Sequence, residues 1–289
     1  MIIDTHAHLQ FPEFNSDIED VLRRAAEKGV GKIINVGCNL DACSRGLTLI
    51  DLYDSTGSAN GQKGSMETSG VELFATLGLH PYDAKVLTYD LLKNWEEKIK
   101  KYGKKIVAIG EIGLDYFKAQ VSHEIQQDAF KRQIEFAQKM NLPIVVHNRE
   151  ADEDTLRILR ESGLGKGGTG KVVFHCYGSS LDFAREVWKE GFYTSFTGVI
   201  TYPNAADLRE VVAECPNGRW MVETDCPYLA PQGVRGQRNE SSYVKEVLEK
   251  VAEVKGLRLG DAEKLQEENA VNFYFICSSV VRGGECGKI

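Results

Sequence analysis

The 289-residue sequence predicts an α/β protein, a single-domain (β/α)8 TIM barrel, from three observations. Eight short runs rich in β-branched residues are spread along the chain, and most are continuously apolar, as parallel strands buried on both faces are. Segments with helical periodicity separate them, so strand and helix alternate nearly throughout. The length suits one closed barrel of about 250 residues or more, and eight such units joined by right-handed crossovers close on themselves.

In chain order the strands are read at 2–4, 32–36, 73–77, 106–109, 143–147, 172–175, 192–196 and 220–223. A Ser16-x-x-Glu19 capping box opens the first helix, whose apolar face carries Ile18, Val21, Leu22 and Ala25. Further helical faces are Ile125, Ala129, Phe130, Ile134, Ala137 and Met140; Leu181, Ala184, Val187 and Trp188; and Val244, Val247, Leu248 and Val251. Segments 55–70 and 163–170, rich in Gly and small polar residues, read as loops that follow a helix and precede a strand. That order places them at the N-terminal face of the barrel, away from the reactive C-terminal strand ends. The barrel domain is expected to span 1–278, with 279–289 a loose tail.

With 42% hydrophobic and 27% charged residues, the chain can bury a sizeable core. Its 35 Lys and Arg against 42 Asp and Glu give a net charge of −7, which excludes a broadly basic surface that holds nucleic acid by charge alone. A phosphate-bearing substrate must then be met by local cations, metals among them. The seven cysteines are scattered, odd in number and without a CxxC pair, which fits reduced thiols in a cytosolic setting. No apolar run approaches the roughly 18 residues of a membrane helix, and Asp4 and His6 stand where a signal peptide needs an apolar stretch. A cytoplasmic or nuclear protein is expected, with neither membrane nor obligate protein partner.

Five of the six histidines fall within or just after predicted strands: His6, His8, His80, His147 and His175. His6 and His8, two residues apart, point to the same side, into the barrel mouth. Glu111 follows the fourth strand, His147 and His175 lie on the fifth and sixth, and Asp225 follows the eighth. Nitrogen and oxygen ligands drawn from separate strands suit an open catalytic metal site, whereas structural zinc takes four ligands and often Cys. Six ligands exceed one tetrahedral shell, so two divalent ions bridged by Glu111 are the natural arrangement.

Six motifs then resemble the TatD-type deoxyribonucleases of the metal-dependent amidohydrolase superfamily. They are Asp4-Thr5-His6-Ala7-His8-Leu9, Gly78-Leu79-His80-Pro81, Gly110-Glu111-Ile112-Gly113-Leu114-Asp115, His147-Asn148-Arg149, Phe174-His175-Cys176 and Glu223-Thr224-Asp225-Cys226-Pro227-Tyr228-Leu229. The resemblance runs from Ile2 to about Phe275. It implies that His6, His8, Glu111 and Asp225 hold one ion, and Glu111, His147 and His175 the second. It implies a metal-dependent nuclease acting on DNA, commonly as a 3′–5′ exonuclease, with Mg2+ activating. Imidazole-rich ligation by itself favours Zn2+ or Mn2+, so the ion's identity stays open. Ser241 stands where the family has Pro, Tyr177-Gly178 where Phe and Ser-Gly are common, and Glu150 where Asp often follows the Arg. None of these departures removes a ligand.

Individual roles follow. Asp225 is read as general base, with pure metal ligation the equal alternative. Arg149, two residues past His147, either grips a phosphate or pairs with Glu150 or Asp152 at a helix start. By resemblance, His80 contacts substrate or supports a ligand, Arg238 binds phosphate and Glu240 orients a ligand. Tyr116 and Phe117 either stack on a base or pack under their loop. Cys176 and Cys226 read as core thiols, not nucleophiles. The substrate is then DNA, single-stranded or with frayed ends, since an acidic barrel holds duplex weakly. The competing functions are a carbonyl hydrolase of the same superfamily and a decayed barrel serving as a scaffold; Arg149 and Arg238 favour phosphate over the first, and the filled ligand positions argue against the second.

Overall fold

The computed structural model describes residues 1–53, 70–166 and 170–276. Eight parallel strands lie in chain order: β1 (Ile2–Ala7), β2 (Val30–Asn35), β3 (Glu72–Leu77), β4 (Ile106–Asp115), β5 (Ile144–Arg149), β6 (Val172–Phe174), β7 (Tyr193–Phe196) and β8 (Trp220–Val222). The ring is completed just past β8, where Ala7 pairs in parallel with Cys226 and the Asp225 amide donates to the His6 carbonyl at 2.9 Å. The chain therefore forms the (β/α)8 barrel that its alternation predicts.

Between the strands run α1 (Ile18–Glu27), α2 (Leu40–Tyr53), α3 (Tyr89–Tyr102), α4 (His123–Met140), α5 (Asp152–Glu161), α6 (Leu181–Lys189) and α7 (Ala206–Glu214). After β8 come α8 (Val244–Lys255) and α9 (Leu259–Tyr274). Because side chains alternate along a strand, neighbours such as Ile33 and Ile34, or Val146 and Val145, enter different layers. Ile33 and Val146 pack outward against helix residues including Val21, Phe130 and Val247. Ile34 and Val145 join Ile3, Phe74, Val107 and Met221 in the other layer, with Phe273 and Tyr274 of α9 packed among them. Gln266 of α9 both receives from the Ile3 amide, at 3.1 Å, and donates to the Ile3 carbonyl, at 2.7 Å. Asn269 donates to the Trp220 carbonyl at 2.8 Å. The last helix thus ties the start of β1 to the start of β8 and floors the barrel, leaving the C-terminal strand ends as its mouth.

Three local expectations are corrected. β4 continues well past 109, because pairing with β5 resumes after a register shift, from Ile112 opposite Val146 to Asp115 opposite Arg149. Gly113 makes this approach feasible: its φ is 141°, and a Cβ there would strike the His147 carbonyl oxygen. The capping box does not form, since the N-cap is Asp17, which makes no side-chain cap and gives its carboxylate to arginines instead. On α4, Ile125 is exposed and Gln126 buried. The polar residue takes the inward position because its side chain receives from the Asp115 amide, at 2.9 Å, and donates to the Val121 carbonyl, at 2.8 Å, anchoring the end of β4. Of the two expected loops, 54–69 and 167–169 lie outside the described residues, as does the tail expected at 279–289. The described flanks of 167–169 sit between α5 and β6.

Candidate metal centre

The barrel mouth brings together all six side chains expected as ligands. His6 and His8 project from the end of β1 on one side, their Nε2 atoms 3.1 Å apart. Asp225 Oδ1 lies 3.6 Å from the first and 3.3 Å from the second. Opposite them, Glu111 Oε1 is 2.9 Å from His147 Nδ1 and 2.7 Å from His175 Nε2. The other carboxylate oxygen, Oε2, is 3.8 Å from His6 Nε2. Glu111 therefore turns one oxygen to each half of the cluster. His6, His8 and Asp225 form one group able to hold a metal ion; Glu111, His147 and His175 form another.

The donor set fits divalent cations. His6, Glu111 and His175 are buried, yet His6 Nδ1 and both nitrogens of His175 have no hydrogen-bond partner. Buried polar atoms without partners are costly, and four imidazoles aimed at two carboxylates leave a gap that a cation fills. The charge pattern agrees. Burial pushes the Glu111 carboxyl up, but the neighbouring His175, His80 and His147 imidazoles outweigh it and hold it well below the usual range. Burial drives His6 well below the ordinary imidazole value, with His175 and His8 beside it adding to the effect. For His8, burial is overcome by Asp225, and for His147 by Asp115 and Glu111, so both are raised. His175 is raised well above the ordinary value, Glu111 overcoming burial. Imidazoles bind a metal only as neutral rings, so metal binding here would be coupled to proton release.

A second ring of contacts fixes the imidazoles. His8 Nδ1 is 2.9 Å from the Val36 carbonyl oxygen, which directs Nε2 to the centre. His147 Nε2 is 3.2 Å from Asp115 Oδ2, and His175 Nδ1 is 3.5 Å from Glu223 Oε1. Glu223 in turn accepts from the Cys176 amide and from Ser195 Oγ, each at 2.6 Å. Sequence reasoning misses Asp115 and Glu223. The available signal was an acid in each of the two motifs that supply the carboxylate ligands. Asp225 itself adopts a left-handed φ of 54°, and Asn239 braces its loop by donating to the Thr224 and Tyr228 carbonyls at 2.9 and 2.6 Å.

The residues expected to meet substrate divide. His80 Nδ1 accepts from the Tyr82 amide at 3.2 Å, and Nε2 lies 3.7 Å from Glu111 Oε1. Burial lowers its pKa to about 3, so a neutral imidazole faces the cluster, closer to the ligands than the sequence suggested. Arg149 lies on the rim of the same cavity, whose volume is about 1040 Å³. Neither Glu150 nor Asp152 pairs with it; its guanidinium rests 4.3 Å from the centre of the Phe117 ring. Tyr116 packs beneath, stacked on His123 at 3.6 Å.

Arg238 is a correction. It donates to both oxygens of Asp17 at 2.7 Å and to the Glu13 carbonyl at 2.6 Å, which occupies both terminal nitrogens away from the cavity. A carboxylate at the start of α1 matches the planar fork better than a distant phosphate does. Glu240 likewise orients no ligand but grips Arg24, at 2.7 Å. Cys226 is core as expected, while Cys176 lines the cavity, its thiol pushed far up by burial and so a poor nucleophile.

The model of the family described as TatD related DNase matches residues 3–275. A metal-dependent hydrolase of Bacillus subtilis is 39% identical over 276 residues, covering 96% of this chain and 100% of its own. The crystal structure of a TatD homologue from Escherichia coli superposes with a TM-score of 0.82 at 29% identity, over 96% of this chain and 98% of the other. A TatD-family hydrolase of Entamoeba histolytica gives a TM-score of 0.83 at 25% identity, over 95% and 98%.

Proposed function

The chain belongs to the TatD-related DNase family of metal-dependent hydrolases, and on that footing we propose that it hydrolyses phosphodiester bonds of DNA, as a 3′–5′ exonuclease with two divalent ions. The observation that carries this reading is Glu111 set between two candidate ligand groups in a cavity whose rim presents Arg149, a cation that pairs with no acid among the described residues. A neutral carbonyl substrate has no use for that guanidinium; a phosphodiester does.

His6, His8 and Asp225 on one side and His147 and His175 on the other would hold the ions, with Glu111 shared. Bound there, divalent ions supply charge neutralisation for phosphoryl oxygens and lower the pKa of a water. Asp225, with its carboxylate at the lip of the cluster, accepts the proton that the attacking water gives up. Glu111 keeps both halves in register. Arg149 holds a phosphate oxygen at the rim, and His80 offers a neutral Nε2–H toward the same centre. The barrel is floored by α9, so substrate reaches the cluster from one side only, which suits a free strand end better than the middle of a duplex.

The test is degradation of end-labelled single and double strands with Mg2+, Mn2+ or Zn2+ and with chelator, beside panels of amides and lactones. Stepwise loss of nucleotides from the 3′ end, abolished by chelator, is expected. Turnover confined to the amide or lactone panel would establish the carbonyl hydrolase instead.

A further inference from the structure

Resting on the nuclease reading, we propose that Phe117, Lys118 and Arg149 form a second phosphate subsite on the rim, which takes the phosphodiester next to the one being cut.

The turn after β4 is built to present these groups. Asp115 Oδ1 accepts from the backbone amides of Phe117 and Lys118, at 3.0 and 2.7 Å, and so pins both residues at the lip. The other oxygen of the same carboxylate accepts from Tyr82 Oη at 3.0 Å and lies 3.2 Å from His147 Nε2. One buried side chain thus fixes the turn relative to an imidazole of the metal cluster. Beside it, Asp115 pairs with Arg149 across the β4–β5 ladder, and the Tyr116 amide donates to the Arg149 carbonyl at 2.9 Å.

Lys118 and Arg149 line the cavity, and Phe117 stands exposed beside them. Phe117 is 54% exposed, which is expensive for a phenyl ring with no task. One face of it carries the Arg149 guanidinium at 4.3 Å, a cation–π seat that directs the fork without consuming its N–H donors. Among the described residues, neither Arg149 nor the Lys118 ammonium makes a side-chain hydrogen bond or ion pair, and both line the cavity. Arg45, Arg238 and Arg157, by contrast, are committed to Asn15, Asp17 and Asp154; Arg235 also rests on a ring, 4.2 Å from the centre of Tyr202, but does not line the cavity. Two unpaired cations, Lys118 on the pinned turn and Arg149 at the end of β5, match in an acidic protein the spaced negative charges of a polynucleotide backbone. Phe117 is here a positioning residue that acts through Arg149.

The metal-loaded enzyme is assayed on a dinucleoside monophosphate, which has a single phosphodiester, and on a single-stranded hexanucleotide. The hexanucleotide is expected to have a KM lower by about tenfold. Lys118→Ala and Phe117→Ala are each expected to raise KM on the hexanucleotide about fivefold more than on the dinucleoside monophosphate. Lys118→Ala should also reduce the slope of log KM against log salt by about 0.7, the single-strand value for one phosphate contact. Phe117→Tyr keeps the seat and should restore the wild-type ratio. Variants that leave the KM ratio and the salt slope unchanged, or that lower kcat on both substrates equally, overturn the subsite. If the wild-type enzyme cuts neither diester, the nuclease reading fails, and the subsite fails with it; that result is read before any variant is made.

Discussion

Glu111 Oε1 lies 2.7 Å from His175 Nε2, and yet neither nitrogen of that imidazole has a hydrogen-bond partner. Such proximity without a bond is what a ligand pair shows when the intended third party is a cation. The acids behind the ligands should therefore govern how tightly ions are held. Asp115→Asn, which weakens the hold on His147, is expected to lower metal affinity about 10- to 100-fold, measured by calorimetric titration of the metal-free protein. Glu223→Gln should act similarly through His175. Unchanged affinity in both would show that the imidazoles are oriented by packing alone.

Asp225 can be separated from the pure ligands. Asp225→Asn is expected to retain metal by elemental analysis while kcat on an end-labelled strand falls about 10²- to 10⁴-fold, the usual worth of a placed proton acceptor. Loss of metal in proportion to activity would make Asp225 a ligand and nothing more.

Gly113 bears on stability. With φ at 141° and the His147 carbonyl against the missing Cβ, Gly113→Ala forces β4 and β5 apart at the metal cluster. The substitution is expected to cost more than about 1 kcal/mol in denaturant unfolding and to lower metal content at the same time. A variant with wild-type stability would mean that the strands separate there at no cost.

Asp4 gives a pH signature. Burial, opposed by hydrogen bonds from Ser241 and Thr224, raises its carboxyl from 3.8 to about 7. Between those two values the folded state holds a proton that the unfolded chain has released, so this group's stabilising contribution is full near pH 4 and is lost as pH rises toward 7. In metal-free protein, the stability of Asp4→Asn relative to wild type should therefore rise across that interval. A flat difference from pH 4 to pH 8 contradicts the assignment.

Much of the fold was legible because parallel strands advertise themselves. Ile33-Ile34 and Val145-Val146 are apolar on both faces, a pattern that only a covered strand sustains. The clustering of these side chains was legible because imidazoles at strand ends have few structural uses. What escaped was set by tertiary partners. The sequence pattern ends β4 at Ile109, yet its last residues are held by β5 and by Gln126, a polar side chain whose buried position no hydrophobic period reveals. Arg238 and Arg149 looked alike as cations near the mouth. Their different fates depend on Asp17, which captures the first, and on Phe117, which seats the second. No spacing in the chain announces either pairing, because each joins residues brought together only when the barrel closes.

Glu111 would offer one oxygen to each of two cations, and anomalous diffraction from crystals soaked in Mn2+ is the decisive measurement. Two peaks are predicted, one among His6, His8 and Asp225 and the other between His147 and His175, with a Glu111 oxygen ligating each. Peaks that leave Glu111 uncoordinated, or a single ion bound away from it, would contradict the account.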